Sequence, residues 1–88
     1  MQQSLDVRIR EHLASYLAGA ATLHDFSMWL VPATWNVHLT GNALADDLTG
    51  EIELALAEYS NGDWTEDELR GLLRPLLDPA WAPQSRIA

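Results

Sequence analysis

Apolar residues return every three or four positions in separate stretches of this chain, and each stretch is closed by glycine or proline. That combination of helical period and punctuation is the strongest constraint on the fold. In the first stretch Leu5, Ile9, Leu13 and Leu17 recur at intervals of four, with Tyr16 beside the last. Such spacing puts them on one face of an amphipathic helix. Ser4 stands where an N-cap is needed, Asp6 in the first turn suits the helix dipole, and Gly19 can end the helix in the left-handed conformation. The expectation is a helix from Leu5 to Ala18.

The stretch Ala21–Trp35, ATLHDFSMWLVPATW, holds the only Phe and two of the four Trp. Thr22 can accept from the backbone N–H of Asp25, and the Asp25 carboxylate can reach back, a short form of the capping box. Phe26, Trp29 and Leu30 follow at i, i+3 and i+4, a pattern that places Phe26 and Trp29 in the core. Pro32 lacks a backbone donor and disfavours helix at Val31, which predicts a stop near Leu30. A helix of two turns depends on burying those rings, so it should act as a packing wedge. After it, PATWNVHLTGN reads as a connector with one helical turn around Ala33–Trp35. Val37 and Leu39 alternate with polar residues, but no partner strand accompanies them.

The longest helix is expected from Ala43 to Tyr59, capped by Asn42 or Thr40. Leu44, Leu48, Ile52, Ala55, Leu56 and Tyr59 form its apolar face, while Leu54 falls away from that stripe and suggests contact on a second side. Gly50 costs about 1 kcal/mol relative to Ala in a helix interior, which points to close helix packing there. Asn61-Gly62 closes this helix. Thr65 and Glu68 then make a capping box, Glu66 and Asp67 complement the dipole, and Trp64 is placed to staple onto Leu69. Leu69, Leu72, Leu73, Leu76 and Leu77 continue an apolar face. Pro75 should end regular helix near Leu73, push Arg74 out of helical geometry and leave a kinked last turn. The predicted architecture is all-α: one small domain of about four helices over residues 1–78, with an aromatic-rich short second helix and a Pro-containing tail over 79–88.

Composition narrows the activities. Without cysteine there are no disulfides, thiolate nucleophiles or cysteine-ligated metals. Without lysine there is no Walker-type phosphate loop, Schiff base or Ser–Lys dyad. Net charge is −8, and it is uneven. Residues 1–45 carry two Arg against three acids, residues 46–88 three Arg against ten. Such a surface repels nucleic acid and suits a basic protein partner, or serves solubility alone. No apolar run approaches the roughly 20 residues that span a bilayer. The mixed N-terminus, MQQSLDVRIREHL, does not read as a signal peptide. The expected compartment is the cytoplasm, with no membrane association.

No catalytic constellation is visible. His12, His24 and His38 show neither i, i+4 pairing nor HExxH, so they read as solvated or capping residues, and no metal or cofactor is expected. DWTEDELRGLLR, from Asp63 to Arg74, matches a calcium loop at Asp63, Thr65 and Asp67. It has Glu68 where that loop needs Gly and Arg74 where it needs Glu. Helix capping accounts for the same residues. GxSxG and GxGxxG are absent, and the expectation is a protein that is not an enzyme. The acids of the second half form either a solvated face or a docking surface. Trp35 and Trp64 suit core edges as well as interfaces. Trp81 either packs back as a lid or marks a partner or dimer contact.

YLAGAATLHDFSMWL, residues 16–30, carries a helix end at Gly19 followed by Leu23, Phe26 and Trp29. It resembles a pattern in small acidic all-α bacterial proteins, some of them helical bacteriocin-immunity proteins. That resemblance covers about a fifth of the chain and transfers no functional residue; it implies an all-α binding protein that shields a basic toxin. The leading expectation is therefore a small acidic protein-binding module, antitoxin-, immunity- or inhibitor-like. Its contact set would be Asp46, Asp47, Glu51, Glu58, Glu66 and Asp67, with Trp64 or Trp81 as apolar anchor. The alternative is a self-associating, homodimeric structural or accessory domain using Leu54, Trp81 and the Leu76–Leu77 turn.

Overall fold

The computed structural model describes residues 4–39, 41–78 and Trp81, without the His38 side chain. The expected tail is described only at Trp81, and the alternative cap Thr40 lies outside the described residues. Four α-helices, α1 (Leu5–Leu17), α2 (Leu23–Ala33), α3 (Ala43–Ser60) and α4 (Glu66–Leu73), are joined by short turns. Two 3-10 turns, Val37–Leu39 and Arg74–Leu77, complete the set. No strand occurs among the described residues. The protein is a compact all-α globule.

Local chemistry accounts for most of the boundaries. Gly19 ends α1 at φ 84°, its N–H bonding to the Tyr16 carbonyl at 3.0 Å. Ser4 takes the extended cap conformation, but its hydroxyl makes no capping bond. Both capping boxes form in full: Thr22 with Asp25, and Thr65 with Glu68. Asn42 caps α3 by accepting from the Ala45 N–H at 3.0 Å.

Several expectations are corrected. α2 does not stop near Leu30 but runs through Pro32 to Ala33. A proline so close to the helix end removes a single bond, and the helix closes two residues later. The Thr34 N–H and hydroxyl both donate to the Leu30 carbonyl, at 2.9 and 2.7 Å. Gly50 is not a close-packing position: it is exposed, and a Cβ built there meets nothing within 4 Å. Arg74 stays helical at φ −57°, ψ −41°, and Pro75 instead tightens the chain into the Arg74–Leu77 3-10 turn.

The core joins all four helices. Ile9, Leu13 and Tyr16 meet Phe26 and Leu30, Val37, then Ala45, Leu48, Ile52 and Ala55, and finally Leu69, Leu73 and Leu76. Thr34 and Thr49 are also buried, and each hydroxyl is satisfied by the carbonyl four residues back. Phe26 is fully buried, near-parallel to Tyr16 at 6.1 Å between centroids. Trp29 is a core-edge residue rather than a core one. It is half-buried, with His12 stacked on it at 3.8 Å and the Arg8 guanidinium 5.7 Å from its centroid. His12 is thus neither capping nor simply solvated.

Polar links bind the rim of this core over long chain separations. The Asn42 side chain donates to Asp6 at 2.9 Å, fastening the start of α3 to the start of α1. Arg10 donates from Nε to the Leu76 carbonyl at 3.1 Å, fastening α1 to the second 3-10 turn, and lies 3.9 Å from Asp6. The Tyr16 hydroxyl donates to Glu66 Oε2 at 2.9 Å, and Arg70 donates to the same oxygen at 3.2 Å. Arg70 also lies 5.1 Å from the centre of the Tyr16 ring.

Candidate functional site

The acids of the second half are not one surface. On α3 the spacing Asp47, Glu51, Leu54, Glu58 runs i, i+4, i+7, i+11, which keeps all four on one stripe of the helix. α4 packs against α3, and a groove opens between them, lined by Glu51, Leu54, Ala55, Glu58, Leu72 and Leu76. Leu54 and Leu72 are respectively 57% and 44% exposed, so the groove presents apolar side chains directly to solvent. Carboxylates from Glu51 and Glu58 border them. Glu58 is anchored, accepting from the Trp64 indole N–H at 3.2 Å. That bond fixes both the acid and the ring at the end of α3.

The other expected contact residues fall elsewhere. Asp46 points off that stripe and lines a separate recess with Val37, Gly41, Asn42 and Ala43 at the start of α3. Asp67 is exposed in the first turn of α4. Glu66 is occupied inside the protein by Tyr16 and Arg70. Burial is the largest influence raising the Tyr16 phenol above its ordinary value of 10.0; Arg70 opposes it and Glu66 reinforces it. The phenol therefore stays protonated and keeps its role as donor. Trp81 is half-buried against the core, its N–H bonded to the Asp78 carbonyl at 2.9 Å. Trp64 is half-buried and Trp35 is 82% exposed, so among the four tryptophans it is Trp35 that faces solvent most fully.

The groove thus brings together Glu51 and Glu58, with Asp47 on the same stripe and Trp64 held at one end. It adds Leu72, which the sequence placed among the core leucines. The signal for its centre was present: Leu54 stands off the main apolar stripe but between two acids of matching helical phase. Carboxylates around exposed leucines can hold a cationic, partly apolar side chain or helix face. Among the described residues no group of three or more His, Asp or Glu side chains is arranged to hold a metal ion. None of the helices described is long and apolar enough to cross a membrane. In comparisons with known proteins, no family model, curated protein or solved structure matches this chain.

Proposed function

We propose that this protein is a small acidic protein-binding module whose α3–α4 groove receives a basic segment of a protein partner. Immunity-, antitoxin- or inhibitor-like masking of that partner is the sharpest form of the reading. The observation that carries it is the pairing of Glu51 and Glu58 with solvent-exposed Leu54 and Leu72 in one groove. Charge of this sign speeds encounter with a cationic surface, and exposed apolar area supplies the contact that charge alone does not. Asp47 extends the acidic border, and Asp67 adds to the field from α4. Self-association through the same groove is disfavoured, because a two-fold pairing would set these carboxylates against their own copies.

The test is affinity capture from native lysate with the full chain, followed by purification of the captured protein and titration with salt. Wild type should retain a basic protein that is released as ionic strength rises, since exposed charge pairs are screened within about 10 Å at 0.1 M salt. Glu51→Lys and Leu54→Glu should each abolish retention while leaving the melting temperature unchanged. A partner retained equally by both variants, or the absence of any salt-released basic protein, refutes the reading.

A further inference from the structure

The α3–α4 groove says more about its occupant than the sign of its charge. It encloses about 110 Å³, less than the roughly 150 Å³ cavity that takes up one benzene. A segment of chain cannot sink between the helices; there is room for one aliphatic side chain, seated against Leu54, Ala55, Leu72 and Leu76. The carboxylates bracket that seat. Glu51 and Glu58 stand seven residues apart on α3 with Leu54 between them, so their backbones lie about 10.5 Å apart along the helix. The two ends differ. Glu58 accepts from the Trp64 indole at 3.2 Å, which holds an aromatic ring beside that acid. α3 also carries no basic residue in its last turn, so no cation of its own meets the negative end of its dipole.

Resting on the reading of this groove as a site for a basic protein segment, we propose that the segment is an amphipathic α-helix. It carries basic residues at i and i+7 and an apolar residue midway, at i+3 or i+4. A helix laid along α3 has the same rise, so its i and i+7 positions fall on one face and meet Glu51 and Glu58 together. The apolar residue between them enters the seat, as a knob enters a hole in helix–helix packing. An extended strand does not match. At about 3.3 Å per residue the same span falls at its third residue, which points to the opposite face. The basic residue at the Glu58 end is arginine. Its apolar stem crosses the exposed leucines, and its guanidinium finds carboxylate and indole side by side. Glu51 and Glu58 both make contacts within the protein, and a carboxylate accepts further hydrogen bonds beside them.

Calorimetric titration of the full chain with two synthetic peptides tests this, each peptide held helical by a cross-link on its outer face. The in-phase peptide has arginine at i and i+7 with leucine at i+4. The other has the same composition with its arginines at i and i+5, on different faces. Wild type should bind the in-phase peptide about tenfold tighter or more, the scale of one close interface charge pair. Glu51→Gln and Asp46→Asn change net charge equally. With the fold intact by circular dichroism, Glu51→Gln should weaken binding about tenfold, while Asp46→Asn, outside the groove, leaves it unchanged. Lysine in place of both arginines should weaken binding to wild type more than to Trp64→Leu. Equal affinity for the two peptides, no binding of either, or an equal loss from Asp46→Asn overturns the helical register. A lysine penalty that Trp64→Leu does not reduce overturns the assignment of arginine. The broader reading survives those results if lysate capture still yields a salt-released basic protein that Glu51→Lys loses, and falls with them only if capture fails too.

Discussion

Asn42 does two jobs with one amide, and substitutions can separate them. Its oxygen caps α3 through the Ala45 N–H, and its nitrogen donates to Asp6 on α1. Asn42→Ala removes both. Loss of an N-cap costs about 1 kcal/mol, and a hydrogen bond to a charged group contributes about 1.5–3 kcal/mol. A total of about 2–4 kcal/mol follows, a large share of the roughly 4–13 kcal/mol that a domain of this size commands. The melting temperature should fall by on the order of 10–20 °C. The second part depends on pH. The Asn42 hydrogen bond is the largest influence holding Asp6 below its ordinary value of 3.8; burial opposes it, while Ser4 and Arg10 assist. A carboxylate with a depressed folded pKa stabilises the fold above its unfolded pKa, and that contribution is lost as pH falls through the folded value. The deficit of Asn42→Ala should therefore shrink as pH falls below Asp6's ordinary value of 3.8, towards the cap contribution. Asn42→Asp keeps the cap oxygen but sets a carboxylate against Asp6. It should be destabilised at pH 7 and recover on acidification at higher pH than wild type loses stability, because one acid of a like-charged pair protonates early. Urea melts followed by circular dichroism at pH 7, 5 and 3 measure all three proteins. An Asn42→Asp variant as stable as wild type at pH 7, or an Asn42→Ala deficit that is the same at pH 7 and pH 3, would refute the account.

Two further predictions concern the core and its surface. Phe26→Ala should cost about 3–5 kcal/mol, as for a fully buried ring, and Trp29→Ala about 2–3 because part of its indole already faces solvent. The reverse order in denaturant melts would mean that the His12–Trp29 stack has been undervalued. Gly50→Ala should raise stability by about 0.5–1 kcal/mol, since the position is helical, exposed and open. A lower melting temperature would show that the glycine is needed for a contact the fold does not otherwise reveal.

What could be read from the sequence was whatever a few neighbouring residues decide among themselves. The Thr22–Asp25 and Thr65–Glu68 boxes are written within four positions, and Gly19 and Gly62 end their helices through their own backbone freedom. Stripes such as Leu5–Ile9–Leu13 identified buried faces because periodicity alone orients them. The misreadings share a cause as well. Pro32 has the local chemistry of a stop, but only one helical residue follows it, and a packing role for Gly50 needs a neighbour that the fold does not put there. Glu66 looked like one more surface acid, but its partner Tyr16 is fifty positions away, and no local pattern announces that pairing. The two outer tryptophans were hardest to place. Trp81 packs inward and Trp35 outward, a choice made by which surfaces the assembled helices leave open. The acidic groove was half legible: Glu51 and Glu58 could be named from charge, whereas Leu72 became a groove residue only once α4 lay against α3.

The long-range links around the core also bear on how the protein is made. α1 is synthesised before the groups that satisfy it: Asn42 for Asp6, Glu66 for the Tyr16 hydroxyl and the Leu76 carbonyl for Arg10. Ile9, Leu13 and Tyr16 likewise share one buried cluster with Leu69, Leu73 and Leu76. The first helix is finished by the last. A nascent chain that ends before α4 therefore leaves the Tyr16 hydroxyl and Arg10 without these partners.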